Sequence, residues 1–123
     1  MLQKGKVGTA TTIVSEKNTA KTVGSGSLDV FSTPMMIALM EEAACDCLAG
    51  CLGVGETSVG TQINVAHKAA SPVGACIVAK ATIEAVEGRK VTFTVVANDG
   101  KNEIGSGVHD RFIVDAEKFM GRL

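Results

Sequence analysis

The stretch Val30–Leu52, VFSTPMMIALMEEAACDCLAGCL, constrains this chain more than any other. It is the longest apolar segment and the only one punctuated as a substantial helix. Ser32 or Thr33 supplies an N-cap hydroxyl, and Pro34 follows at the first helical position, where its missing N–H is harmless. Met35, Met36, Ile37, Leu39 and Met40 make the segment apolar on nearly every side. That predicts a buried helix from Pro34 to Leu48 or Leu52. Gly50, Gly53 and Gly55 stand where a left-handed C-cap belongs. Glu41 and Glu42 interrupt this apolar rod. They diverge by about 100° around its axis, so one can face a cleft while the other faces water.

The remaining segments read as strands. Val7–Val14 is rich in Thr and Val. A polar turn, Ser15–Asn18, follows, and Thr19–Val23 is expected to extend or pair with that strand. Gly24–Ser27 is a flexible connector. After the helix, Ser58–Ala69 alternates, with Val59, Thr61, Ile63, Val65 and His67 on one face and Gly60, Gln62, Asn64 and Ala66 on the other. Cys76–Val86 and Lys90–Ala97 alternate again, joined at Glu87-Gly88-Arg89. The Asp99-Gly100 pair marks a second hairpin turn into Glu103–Val114. Gly105-Ser106-Gly107 within that strand suggests a bulge or a close backbone approach. Asp115–Leu123 is placed as a short helical turn.

One strand, one buried helix and four consecutive strands define an α+β chain. The apolar faces of the strands must cover something, and the helix is the element that needs cover. A curved antiparallel sheet wrapped around one central helix follows, the hot-dog fold. Residues 1–123 are read as a single such domain, with no internal repeat. The free edges of the sheet call for a partner, so a homodimer or a dimer of dimers is expected.

Charge and composition remove several classes of function. A net charge of -1 with scattered Lys and Arg provides no footprint for nucleic acid. No stretch reaches the roughly 18 apolar residues of a membrane helix, and MLQKGKVGTATT does not resemble a signal peptide. A soluble, cytoplasmic protein is expected. Cys45, Cys47 and Cys51 crowd one helix too closely for a disulfide framework, and with Cys76 they read as buried, reduced thiols. Their C-x-C-x3-C spacing matches no usual zinc set, so no metal is expected.

The candidate chemistry lies at Thr33, Glu41 and His67. Glu41 follows Thr33 by eight residues, a little over two turns, so both can address one cleft. His67 ends the strand face turned toward the helix. A carboxylate and an imidazole against apolar surroundings suit general-base or nucleophilic work, and the helix N-terminus can hold a developing oxyanion. Each residue has a structural reading beside this one: Thr33 as the N-cap, Glu41 on a solvent-facing sliver, His67 as a strand-end side chain. Ser32 is a second hydroxyl in the same place. His109 and Arg111 share one face of the last strand, read either as a solvated face or as a site where Arg111 reaches a phosphate.

Four pieces in order carry a resemblance. They are Val30-Phe31-Ser32-Thr33 with Leu39-Met40-Glu41; Val59-Gly60-Thr61 through Val65-Ala66-His67; Val86-Glu87-Gly88-Arg89; and Asp99-Gly100 through Glu103-Ile104-Gly105-Ser106-Gly107 with His109-Asp110-Arg111. Together they resemble the hot-dog acyl-CoA thioesterases of the fluoroacetyl-CoA thioesterase group, over nearly the whole chain. The resemblance implies a catalytic Thr33, Glu41 and His67. It implies a Gly60 backbone N–H on the thioester carbonyl and an Arg111 contact to substrate or coenzyme A. It also implies hydrolysis of an acyl-CoA, with no cofactor beyond the coenzyme A of the substrate. The family's aromatic lid segment corresponds here to Lys21–Asp29, KTVGSGSLD, which is glycine-rich and has no aromatic residue. A more general small acyl-CoA is therefore expected. The alternatives on the same fold are a non-catalytic acyl-CoA-binding module and a hydratase or dehydratase.

Overall fold

The computed structural model describes all residues, 1–123. The chain runs β1 (Val7–Ile13), α1 (Ala20–Val23), α2 (Thr33–Leu48), β2 (Glu56–His67), β3 (Cys76–Glu87), β4 (Lys90–Asn98), β5 (Glu103–Asp115) and α3 (Ala116–Gly121). The five strands form one antiparallel sheet in the order β1-β3-β4-β5-β2. This is the hot-dog fold: the sheet curls around α2, and its inner face meets the helix. Alternation alone builds that face. Ile77, Ala79, Ala81 and Ile83 of β3, with Val91, Phe93, Val95 and Ala97 of β4, have no solvent exposure. The hairpins turn at Gly88 and Gly100, both at positive φ (64° and 91°), where a residue with a Cβ is strained.

Several expectations need correction. Ser32 is the N-cap of α2, its Oγ accepting from Met35 N at 3.3 Å, and Thr33 already lies inside the helix. Thr19–Val23 is not a strand: Thr19 caps the short α1, Gly24 ends it at φ 82°, and only Thr19 bridges to Phe31. The α2 helix is buried along one stripe only, through Met36, Leu39, Met40, Ala43, Ala44, Cys47 and Leu48. Met35, Ala38, Glu42 and Cys45 are exposed, because a single sheet covers only one side of a helix. For the same reason the thiols are not all buried. Cys47 packs in the core, Cys45 and Cys76 are exposed, and all four are free.

Three register shifts interrupt the sheet, and two of them, in β2 and β5, set which side chains near the polar residues face the helix. The β2–β5 register shifts between Gly60 and Gln62, leaving Thr61 as an extra residue. Antiparallel partners share a face, so Gly60, opposite buried Arg111, points inward, whereas Val59, opposite exposed Phe112, points outward. Beyond the bulge Ile63, Val65 and His67 point inward as the alternation predicts. The second shift leaves Ile104 unpaired between Glu103 and Gly105. His109 and Arg111 then fall on the inner face, at 1% and 6% exposure, and not on a solvated one. Gly105 is a close-approach glycine, since a Cβ there would lie 2.6 Å from Met36 Sδ.

Candidate active site

Two polar clusters flank α2, one at its N-terminus and one near its middle. Thr33, at the first helical position, meets His67 at the end of β2, with 2.8 Å between Oγ1 and Nδ1. The two side chains line a cavity of about 250 Å³ with Ala20, Ser25, Val30, Phe31, Lys68, Ala69 and Ala70. Burial pushes the His67 imidazole below its ordinary range, against a smaller opposing pull from the Ala69 backbone. Its Nε2 is buried and has no hydrogen-bond partner within the chain.

The second cluster surrounds Glu41. Arg111 Nη1 donates to Glu41 Oε2 at 3.1 Å and to His109 Nε2 at 3.1 Å. Arg111 Nε donates to Ser58 Oγ at 2.9 Å, and Nη2 to the Ser58 carbonyl at 3.2 Å. Four of the five guanidinium hydrogens are thus engaged inside the chain, which makes Arg111 a clamp on Glu41. The Glu41 side chain is 41% exposed and opens onto a second cavity with Gly60, Thr61, Gln62, Ile63 and His109. Gly60 leaves room for that carboxylate, because a Cβ there would stand 2.6 Å from Glu41 Oε2. Glu42 is exposed and makes no polar contact with either cluster.

All five residues singled out in the sequence therefore lie at one of two places. Thr33 pairs with His67, and Glu41 with Gly60 and Arg111. The five do not form one cluster within a single chain. Eight helical residues separate Thr33 from Glu41 by about 12 Å along the axis. His67 and Gly60 are separated by roughly 20 Å along β2, which runs antiparallel to α2. Ser58 and the inward-facing His109 were not legible as partners of Arg111. Ser58 is two positions from Gly60 and shares its face, but the Thr61 bulge hides that this face is the inner one.

Comparison with known proteins bears on this geometry. Residues 14–117 match the family model described as fluoroacetyl-CoA-specific thioesterase. A fluoroacetyl-CoA thioesterase from Streptantibioticus cattleyicolor is 43% identical over 95 residues, covering 77% of this chain and 68% of the relative. The crystal structure of a point mutant of the fluoroacetyl-CoA-specific thioesterase, in complex with fluoroacetate and CoA, superposes with a TM-score of 0.90 at 36% identity. That match covers 96% of this chain and 99% of the other. A Thermus thermophilus hypothetical protein, described as a thioesterase superfamily member, gives a TM-score of 0.91 at 25% identity, covering 99% and 90%. The chain belongs to the fluoroacetyl-CoA-specific thioesterase family.

Proposed function

We propose that this protein hydrolyses a small acyl-CoA thioester to the free acid and coenzyme A, at a site assembled from two copies of the chain. The observation that carries this is the separation of Thr33 and His67 from Glu41, with both clusters set against the unpaired edge strand β2. An antiparallel β2–β2 pairing extends the sheet and removes the free edge. A twofold axis near Ile63–Asn64, midway between Gly60 and His67, interchanges the two ends of β2. It brings the Thr33–His67 pair of one protomer to the Glu41 cluster of its partner. The homodimer is then the catalytic unit, and the buried, unpartnered His67 Nε2 belongs to that shared site.

In this site Glu41 takes a proton from the attacking water, or itself attacks the thioester carbonyl to give a mixed anhydride that water then opens to the free acid and the regenerated carboxylate. An oxygen–carbon bond forms and the carbon–sulfur bond breaks. His67, neutral at rest, takes up the proton that the attacking water loses and passes it to the departing thiolate, with Thr33 holding its Nδ1. The Gly60 N–H and the N-terminus of α2 polarise the carbonyl. Arg111 holds Glu41 and has one guanidinium hydrogen left for substrate. The acyl group enters beside Thr33 under the segment Lys21–Asp29, which has no aromatic side chain to select fluorine. No helix is long and apolar enough to cross a membrane. With four free cysteines, this supports a cytoplasmic setting.

Complementation tests both halves of the proposal. Glu41→Ala and His67→Ala chains are each expected to be inactive. Unfolded and refolded together, half of the dimers are heterodimers carrying one intact composite site of two, so about a quarter of wild-type activity returns. Release of CoA thiol from short acyl-CoAs is the measurement. No release by the wild type above either variant would sink the hydrolase reading. An active wild type with no recovery on mixing would sink the shared site.

The pH dependence has a definite sign. Burial disfavours the His67 imidazolium, so the neutral base persists to lower pH than in water. The acid limb of kcat/KM is expected below about pH 6.5, the ordinary histidine value. A His67-dependent limb above that value would contradict the geometry.

A further inference from the structure

The cluster under Glu41 contains one titratable side chain to which the proposed chemistry assigns no part. His109 is 1% exposed, and its ring stacks on Phe93 with centroids 6.2 Å apart. Its Nδ1 lies 2.8 Å from the Gln62 carbonyl, which can only accept, so Nδ1 carries the proton. Its Nε2 lies 3.1 Å from Arg111 Nη1, which can only donate, so Nε2 is bare. The two contacts define a neutral imidazole with one tautomer. The charged groups facing it are Arg111 on its own strand and Glu41 on α2, with Oε2 3.8 Å from Nε2. β4 presents only the Phe93 ring, and β2 the Gln62 carbonyl.

We propose that His109 is a positioning residue, which holds the Arg111 guanidinium against Glu41 by accepting the second Nη1 hydrogen. The inference rests on the reading of Glu41 as the catalytic carboxylate. A buried guanidinium hydrogen needs an acceptor, and the type of acceptor decides where the positive charge acts. A second carboxylate at this place would compete with Glu41 for Arg111. A neutral nitrogen satisfies the hydrogen without competing, so the charge of Arg111 is directed at Glu41 alone. The ring is anchored in turn by the residue that follows the Thr61 bulge. The chain Gln62 carbonyl, His109, Arg111, Glu41 therefore ties the irregularity in β2 to the orientation of the carboxylate.

The test compares His109→Leu, which has no acceptor, with His109→Gln, whose amide oxygen can take the place of Nε2. In His109→Leu kcat is expected to fall about 10- to 100-fold with KM within about twofold, the size of effect that follows a small misplacement of a reacting group. His109→Gln is expected to recover most of kcat. Wild-type kcat in His109→Leu, or equal loss in both variants, would overturn the proposal. Histidine 15N spectra of the wild-type protein at neutral pH provide a second reading, independent of turnover and of whether His109→Leu folds. The Nδ1–H tautomer is expected for His109, and the Nε2–H tautomer or an imidazolium would overturn the relay. A wild type that releases no CoA would remove the hydrolase reading, while the spectra still decide the relay.

Discussion

Replacing Glu41 with glutamine is expected to lower kcat about a thousandfold and leave the fold intact, within the range typical for loss of a general base or nucleophile. The side chain is 41% exposed, and no core packing depends on it. Glutamine has nearly the same volume, and its amide oxygen can still accept from Arg111 Nη1. What disappears is the negative charge. The amide can neither add to a thioester carbonyl nor take a proton from water. Arg111 keeps Ser58 and His109 as partners, so its guanidinium stays satisfied. CoA release in steady state, set beside a thermal melt of the same sample, checks both parts. Activity within tenfold of wild type would mean that another group does the chemistry. A large drop in melting temperature would mean that the Arg111–Glu41 pair serves mainly to hold the structure.

The second large effect concerns stability. Gly8 of β1 lies directly against the backbone of α2. A Cβ at Gly8 would lie inside van der Waals contact with Cys47 N and Ala43 O, both backbone atoms of the helix. Neither can give way as the end of a side chain can, so the helix itself must move. Gly8→Ala is expected to destabilise the protein by about 3 kcal/mol or more, at the upper end of overpacking effects. The midpoint of urea unfolding measures this. The same clash displaces α2, which carries Thr33 and Glu41, so activity is expected to fall as well. A midpoint unchanged from wild type would show that β1 can shift outward at little cost. That is conceivable only because β1 is an edge strand, bonded on one side to β3.

The large features were legible because they depend on local periods. Alternation in Cys76–Val86 and Lys90–Ala97 predicts β3 and β4 to within a residue or two, and the inward residues are those expected as far as Ile83; beyond it a register shift at Glu84 sets Ala85, expected inside, opposite Thr92. The Ser-Thr-Pro entry predicts the start of α2 to within one residue. Thr19–Val23 failed because the segment is too short for a period to declare itself. Its conformation follows from the Thr19 cap and the Val30 carbonyl, which accepts from Ala20 N at 2.8 Å. His109 and Arg111 were misread as a possible solvated face because a bulge at Ile104 shifts the alternation of β5 by one. Gly60 was assigned the wrong face for the same reason at Thr61.

By itself, the sequence determined the element order, the central helix, the wrapping sheet and the residue types of the site. Each shows in periods and turn signals that run along the chain, which composition and spacing record directly. Only the tertiary structure decided which of those residues meet. The antiparallel path of β2 along α2 sends His67 to Thr33 and Gly60 to Glu41. The Thr61 bulge turns Ser58 and Gly60 inward, toward Arg111. These pairings join residues separated by 19 positions (Glu41 and Gly60) to 53 positions (Ser58 and Arg111), and a one-residue shift in register changes them all. No local pattern carries that information, because it belongs to the packing of strand against helix and not to either element alone.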